Sequence, residues 1–214
     1  MTPADVIAEV RTLVQDSRVP YRYTDAVLLR FLNQTVKRMA MVRPDLFLVV
    51  RDVATVAGDV TQGLPADAIR LVEVYNVKGG NVVTEVNKDT LDQTYPGWRS
   101  APSGQPVNYV RHVRNPTAFF LYPPPESGVT LVAEYAATPA DYGLTDTITA
   151  PSSAYLPSLV DGVVYLSQSI DDEHINSGRA KLFSDAFTQG LGTNLQSRQV
   201  TENDASGLDP KQVV

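Results

Sequence analysis

The hydrophobic period changes twice along this chain, and that alternation limits the folds open to it. Up to Pro44 the apolar residues recur at helical spacing. From Leu46 they gather in short runs rich in β-branched and aromatic residues, and near Ser153 helical spacing returns. The pattern predicts an α+β protein: a discontinuous helical bundle, with two N-terminal and two C-terminal helices, carrying an inserted antiparallel β-sandwich or barrel-like domain. The expected boundaries are residues 1–45 for the first helical part, 46–150 for the β domain, 151–192 for the second helical part and 193–214 for a polar C-terminal tail.

Each helix has readable punctuation. Thr2 can cap, Pro3 suits the first helical position, and Asp5 favours the positive end of the helix dipole. Val6, Ile7, Val10, Leu13 and Val14 then form one apolar stripe, which Asp16-Ser17-Arg18-Val19-Pro20 breaks. A second helix begins at a Thr24 cap and carries the stripe Leu28, Phe31, Leu32, Thr35, Val36, Met39 and Ala40. Pro44 stops it, because the residue before a proline avoids the α region.

Six strand-like runs follow: LFLVVRDVATVA, AIRLVEVYNV, NVVTEV, PVNYVRHV, TAFFLY and VTLVAEYAAT. They are separated by turn signals at Gly58-Asp59, Lys78-Gly79-Gly80-Asn81, Arg114-Asn115-Pro116 and Pro123 to Gly128. One helical turn is expected over Lys88 to Gln93, and the triple proline after FFLY is expected to end its strand at an edge or loop. Beyond, Leu156, Leu159, Val160, Val163, Val164 and Leu166 suit a buried helix, and Leu182, Phe183, Ala186 and Phe187 suit another. The segment TNLQSRQVTENDASGLDPKQVV has no apolar stripe, so it is read as a mobile tail or one that orders on a partner.

Charge and residue inventory narrow the function. A net charge of −6 argues against a body built to hold DNA or an acidic membrane, because binding phosphates needs clustered Lys and Arg. The chain has no cysteine, which removes disulfides, thiolate catalysis and cysteine-based zinc sites and suits folding in a reducing cytoplasm. No signal peptide or membrane-spanning run is readable, so a soluble intracellular product is expected.

Catalytic and metal motifs find no support. No GxSxG, HExxH, GxxxxGK[ST] or GxGxxG occurs. His112 lies in an alternating strand and reads as a surface or groove residue. His174 follows Asp171, Asp172 and Glu173, but consecutive carboxylates on a helix point in different directions and cannot converge on one ion. The expectation is a protein without catalytic residues, metal or cofactor.

The second helix poses the remaining question. Its outer side carries Arg30, Gln34, Lys37 and Arg38 in an acidic chain. A helix-turn-helix reading would turn Arg30, Gln34 and Lys37 to a DNA groove. The alternatives are that these residues solubilise an amphipathic helix or meet an acidic partner protein. Tyr21-Arg22-Tyr23 could stack bases, although tyrosines at a helix entry more often pack or sit at an interface.

At these residues the chain resembles a known family. YTDAVLLRFLNQTVKRMAMVRPDL is similar to the second-helix signature of phage head-to-tail adaptor proteins, related in plan to the tail tubular protein A of short-tailed phages. LPADAIRLVEVYNV resembles the family's strand entry, and LDQTYPGWRSAPSGQPVNYVRHVRNPTAFFLYPPP, AEYAATPAD and DDEHINSGRAKLFSDAF continue the family order over residues 1 to 190. The stretch from Thr193 has no counterpart in that pattern.

The resemblance implies a virion structural protein, made in the host cytoplasm, without catalytic residues. It implies a homo-oligomeric ring of twelve subunits between the portal protein and the tail tube or nozzle, with genomic DNA passing through the lumen without sequence-specific binding and no membrane contact. A tail-completion or tail-tube subunit is the sister reading, and a DNA-binding regulator a third. In a ring, Arg30, Lys37 and Arg38 become candidates for pairing with acidic residues of a neighbour or of the portal. Leu208, Pro210, Val213 and Val214 become sparse anchors by which the tail docks on either.

Overall fold

The computed structural model describes residues 1–170 and 177–192. Among them the protein is mixed α+β, with five α-helices and two sheets, and they divide into two compact units, residues 1–42 with 140–170 and 177–192, and residues 43–139.

The first unit is helical. Helix α1 (Pro3–Val14) opens with a capping box: Asp5 N–H donates to Thr2 Oγ1 at 3.3 Å, and Thr2 N–H returns a bond to Asp5 Oδ2 at 2.7 Å. Helix α2 (Asp25–Val42) starts where Val27 N–H meets Thr24 Oγ1 at 3.4 Å, and it buries Leu28, Phe31, Leu32, Thr35, Val36, Met39 and Ala40, the expected stripe. Helix α1 differs from expectation at its end. Its buried face centres between Val6 and Ile7, so Leu13 falls at the margin and is exposed, while Arg11 is buried.

Arg11 is tolerated inside because its guanidinium is held by three acceptors, two of them carboxylates. It donates to Asp16 Oδ2 at 2.8 Å, to the Tyr23 carbonyl at 2.8 Å and to Asp25 Oδ1 at 2.6 Å, and it lies 3.8 Å from the Tyr21 ring centroid. Asp16 in turn accepts from the backbone N–H groups of Arg22 and Tyr23. The Asp16–Pro20 break is thus tied down by one buried ion pair rather than left to solvent.

Helix α4 (Leu156–Gln168) is buried on most of its circumference, through Leu159, Val160, Gly162, Val163, Val164 and Ser167. Small residues set its contacts. A Cβ on Gly162 would overlap Thr35 Cγ2 of α2 and lie 3.1 Å from the Phe187 ring of α5 (Ser177–Gly192), and a Cβ on Gly190 would lie 2.5 Å from Ser158 Oγ. That close approach turns α5 away from the expected stripe. Leu182 is 70% exposed and Ala186 is exposed, while Ala180 and Leu191 are buried.

The second unit holds seven strands: β1 (Leu48–Ala54), β2 (Thr61–Gly63), β3 (Ala68–Val77), β4 (Thr84–Glu85), β5 (Asn108–Arg111), β6 (Ala118–Tyr122) and β7 (Thr130–Ala137). One sheet has the order β1-β7-β3 and the other β2-β6-β5-β4. The pairing is antiparallel except between β4 and β5, which run parallel in the register Thr84–Asn108 and Glu85–Tyr109. This departs from the all-antiparallel expectation. The short helix α3 (Lys88–Thr94) and the loop after it carry the chain across between β4 and β5, which a hairpin turn cannot do. The short strand β2 also had no sequence signal, because TQG is neither β-branched throughout nor alternating.

Residues of both sheets join one apolar cluster, with Val53, Leu71, Val74, Leu131 and Tyr135 from the first and Tyr109, Phe119 and Leu121 from the second. A smaller cluster gathers Leu91, Trp98 and Val110. Trp98 Nε1 donates to Asp92 Oδ1 at 2.7 Å, and Lys88 Nζ approaches Asp92 Oδ2 to 2.7 Å. These bonds, first Lys88 and then Trp98, lower the Asp92 pKa from an ordinary 3.8 to about 2.

Candidate interface on the second helix

The basic residues named for partner binding, Arg30, Lys37 and Arg38, lie on α2, whose buried stripe forces them outward. On a helix, positions 30, 33, 34 and 37 share one face. Ala26, Leu29, Arg30, Asn33, Gln34 and Lys37 accordingly line a shallow depression of about 370 Å³, closed on one side by Asp141.

The wall containing Asp141 is a strap that belongs to the same unit. Asn33 binds it with both ends of its amide: Nδ2 donates to the Tyr142 carbonyl at 3.1 Å, and Tyr142 N–H donates to Oδ1 at 2.9 Å. The strap closes on itself where Tyr142 Oη donates to the Ala150 carbonyl at 3.0 Å and Gly143 N–H donates to Asp146 Oδ2 at 2.7 Å.

Lys37 therefore meets an acid of its own chain. Its Nζ lies 2.6 Å from Asp141 Oδ1, with side chains 45% and 64% exposed. A pair so open to solvent contributes about 0–1 kcal/mol and leaves both charges reachable by a partner. Arg30 and Arg38 are exposed and form no ion pair among the described residues. Their guanidinium carbons lie 5.6 Å from the Phe31 ring and 5.8 Å from the Tyr165 ring, at the outer range of a cation–π contact.

The structure thus brings Arg30 and Lys37 to one depression and sets Arg38 apart beside Tyr165. Leu208, Pro210, Val213 and Val214 lie outside the described residues, as do Asp171, Asp172, Glu173 and His174. Two residues of this site, Asn33 and Asp141, escaped the sequence reading. Asn33 sits beside the charged positions at helical spacing, so the helix face itself was the available signal. Asp141 becomes part of the site only through a fold-back that no local pattern announces.

No group of three or more metal-ligating side chains occurs among the described residues. His112 Nδ1 accepts from the backbone N–H groups of Arg114 and Asn115, at 3.2 and 3.0 Å, so that nitrogen is spent on holding the turn after β5. No described helix is long and apolar enough to cross a membrane.

What the α2 depression can do is set by its composition. Its rim carries positive charge, the Asp141 carboxylate paired with Lys37 and short apolar side chains, and it is too shallow and too open to enclose a small molecule. Such a surface suits an acidic or mixed protein face. Among curated proteins none matches the chain. The family model described as SU10 adaptor protein matches residues 1–209.

Proposed function

The chain belongs to the SU10 adaptor protein family, phage adaptor-type structural proteins, and from that premise we propose that it is the head-to-tail adaptor of a bacteriophage virion. In this reading, copies form a ring of twelve below the portal protein, join the capsid to the tail tube or nozzle and continue the channel through which DNA leaves. The plan shared with tail tubular protein A of short-tailed phages, a discontinuous helical bundle with an inserted sandwich-like domain, belongs to the same reading.

Beyond family membership, the observation that carries it is the unspent positive charge on α2. Arg30 and Arg38 are exposed and unpaired among the described residues of a chain whose net charge is −6. Subunits in a ring present one surface to a different surface of the neighbour, and opposite charges then select the register. The acidic remainder suits a channel wall, since like charge keeps DNA from adhering while it slides. The tail, with Leu208, Pro210, Val213 and Val214, docks on the portal or on an adjacent subunit.

The test is the mass of the purified protein by light scattering, alone and with its phage's portal. A stoichiometric ring on the portal is expected. A chain that ignores the portal would overturn the assignment and direct the test to tail-tube components.

A further inference from the structure

The three-stranded sheet has two edges, and they are treated differently. The outer edge of β3 is closed. Leu71 N–H donates to the Pro116 carbonyl at 2.9 Å, Val77 N–H to the Asn81 carbonyl at 2.9 Å, the Tyr75 carbonyl accepts from Val83 N–H at 3.1 Å, and the Val72 carbonyl accepts from Arg111. In the other sheet the edges are short, three residues in β2 and two in β4.

The β1 edge is long and open. All seven residues pair with β7 without a bulge, from Leu48–Ala136 to Ala54–Thr130. Thr55 N–H bonds the Val129 carbonyl, so by alternation Val53, Arg51 and Val49 bond β7, while the N–H and C=O groups of Leu48, Val50, Asp52 and Ala54 point away from it. These meet no backbone partner among the described residues, whereas the next outward position, Val56, is capped on both groups by Gln62 at 2.7 and 3.0 Å. Leu48 and Val50 are 36% and 53% exposed. A regular, partly apolar edge of this length is a template for another strand.

We infer that β1 receives the C-terminal segment Leu208–Val214 of a second copy of this chain as a fourth, antiparallel strand. The inference deepens the proposed docking of the tail by naming its receiver. Three features of the segment choose it. Residues 193–207 give it reach, up to roughly 50 Å when extended. In one antiparallel register Val213 stands opposite Val50 and Lys211 opposite Asp52, with Asp209 at Ala54. Asp52 already accepts from Lys78, but its side chain is 48% exposed and has room for a second cation.

The third feature is Pro210. In this register residues 209, 211 and 213 bond β1, so the proline, which has no N–H, faces outward where none is needed. On the opposite face Val214 falls beside Val49 and Pro210 beside the buried Val53. A parallel arrangement that keeps Lys211 at Asp52 would set Asp209 against Val50. Two-fold pairing of β1 with itself in the registers centred on residues 50, 51 and 52 places Leu48, Val50 or Asp52, respectively, opposite Asp52. Contact of this kind is heterologous, one surface of each copy meeting a different surface of the next, and propagates around a ring.

Because the chain contains no cysteine, the register can be tested by disulfide formation in the full-length protein. Opposed residues of an antiparallel pair have Cα atoms about 5.5 Å apart, within disulfide range. Mixing the single variants Val50→Cys and Val213→Cys under oxidation is expected to yield a covalent dimer of one of each. Val50→Pro in the otherwise unchanged full-length chain removes an outward N–H without touching the β7 ladder. It should leave the thermal transition in place and cut self-association at least tenfold. Dimers from Val50→Cys alone, an intrachain cross-link confined to the double variant, or no cross-link in any mixture would each overturn the inference. None of these outcomes bears on whether the chain binds a portal, which the light-scattering experiment reads separately.

Discussion

Gly162 of α4 meets Thr35 of α2 so closely that a Cβ on the glycine would overlap Thr35 Cγ2. The same missing side chain admits the Phe187 ring, 3.1 Å from the Cβ position, so one hydrogen atom lets three helices converge. Gly162→Ala is therefore expected to lower stability by about 1–3 kcal/mol, since neither backbone nor ring can withdraw without opening the contact elsewhere. Denaturant unfolding measures this. An unchanged midpoint would show that α4 can shift at no cost.

The buried guanidinium of Arg11 holds Asp16, the Tyr23 carbonyl and Asp25 at once. Arg11→Met keeps most of the volume but leaves Asp16, whose side chain is 7% exposed, without its counter-charge. A loss of about 3–5 kcal/mol is expected, because one partner of a buried pair is stranded. Arg11→Lys should lie between, keeping the charge but not the geometry that reaches three acceptors. Thermal unfolding of both variants reads the order.

Asp92 gives the β unit a dependence on acid. Its pKa in the folded chain is lowered to about 2 from 3.8 by Lys88 and then Trp98. The unfolded state therefore binds the proton first on acidification. The stabilisation is complete above the ordinary carboxylate value and is lost as pH falls from about 4 through about 2. Asp92→Asn should lower the melting temperature at pH 7 and reduce its slope across that window. Trp98 fluorescence reports both, and a parallel pH profile in the variant would count against the linkage.

At the α2 depression, Arg30→Glu and Lys37→Glu are expected to weaken ring or portal assembly while shifting monomer stability by no more than about 1 kcal/mol. Asp141→Ala separates the two roles of Lys37. It frees the ammonium from its own chain, so assembly should be kept or strengthened if the cation serves a partner. Retained assembly in both charge reversals would remove this surface from the interface.

Much of the helical unit was legible because it is local. The Thr2 cap, the Thr24 entry, the stop at Pro44 and the seven-residue stripe of α2 follow from hydrogen-bond geometry and a 3.6-residue period over a few turns. Most of the strand content of residues 48–137, β2 excepted, was legible for the same reason, as period two and turn glycines such as Gly79 and Gly128 at positive φ are local signals. The outer face of α2, and so the placement of Arg30 and Lys37, came with the stripe.

What stayed hidden depended on partners distant in sequence. Leu182 looked like core because apolar spacing is visible, but the face α5 buries was selected by Gly190 against Ser158, and closeness between small residues leaves no hydrophobic signal. Arg11 lies outside the apolar residues named for α1, and its burial depends on three acceptors from the following loop and helix gathering around it. The strap residues Asp141 and Tyr142 joined the candidate site only by folding back onto Asn33 and Lys37, across more than a hundred residues. The amino-acid sequence by itself determined which segments are helix or strand and which face of α2 is apolar, since those are short-range free energies. Only the tertiary structure decided which edge of the sheet stays open and which charges are already paired, because a hydrogen bond or an ion pair exists only once both partners are in place.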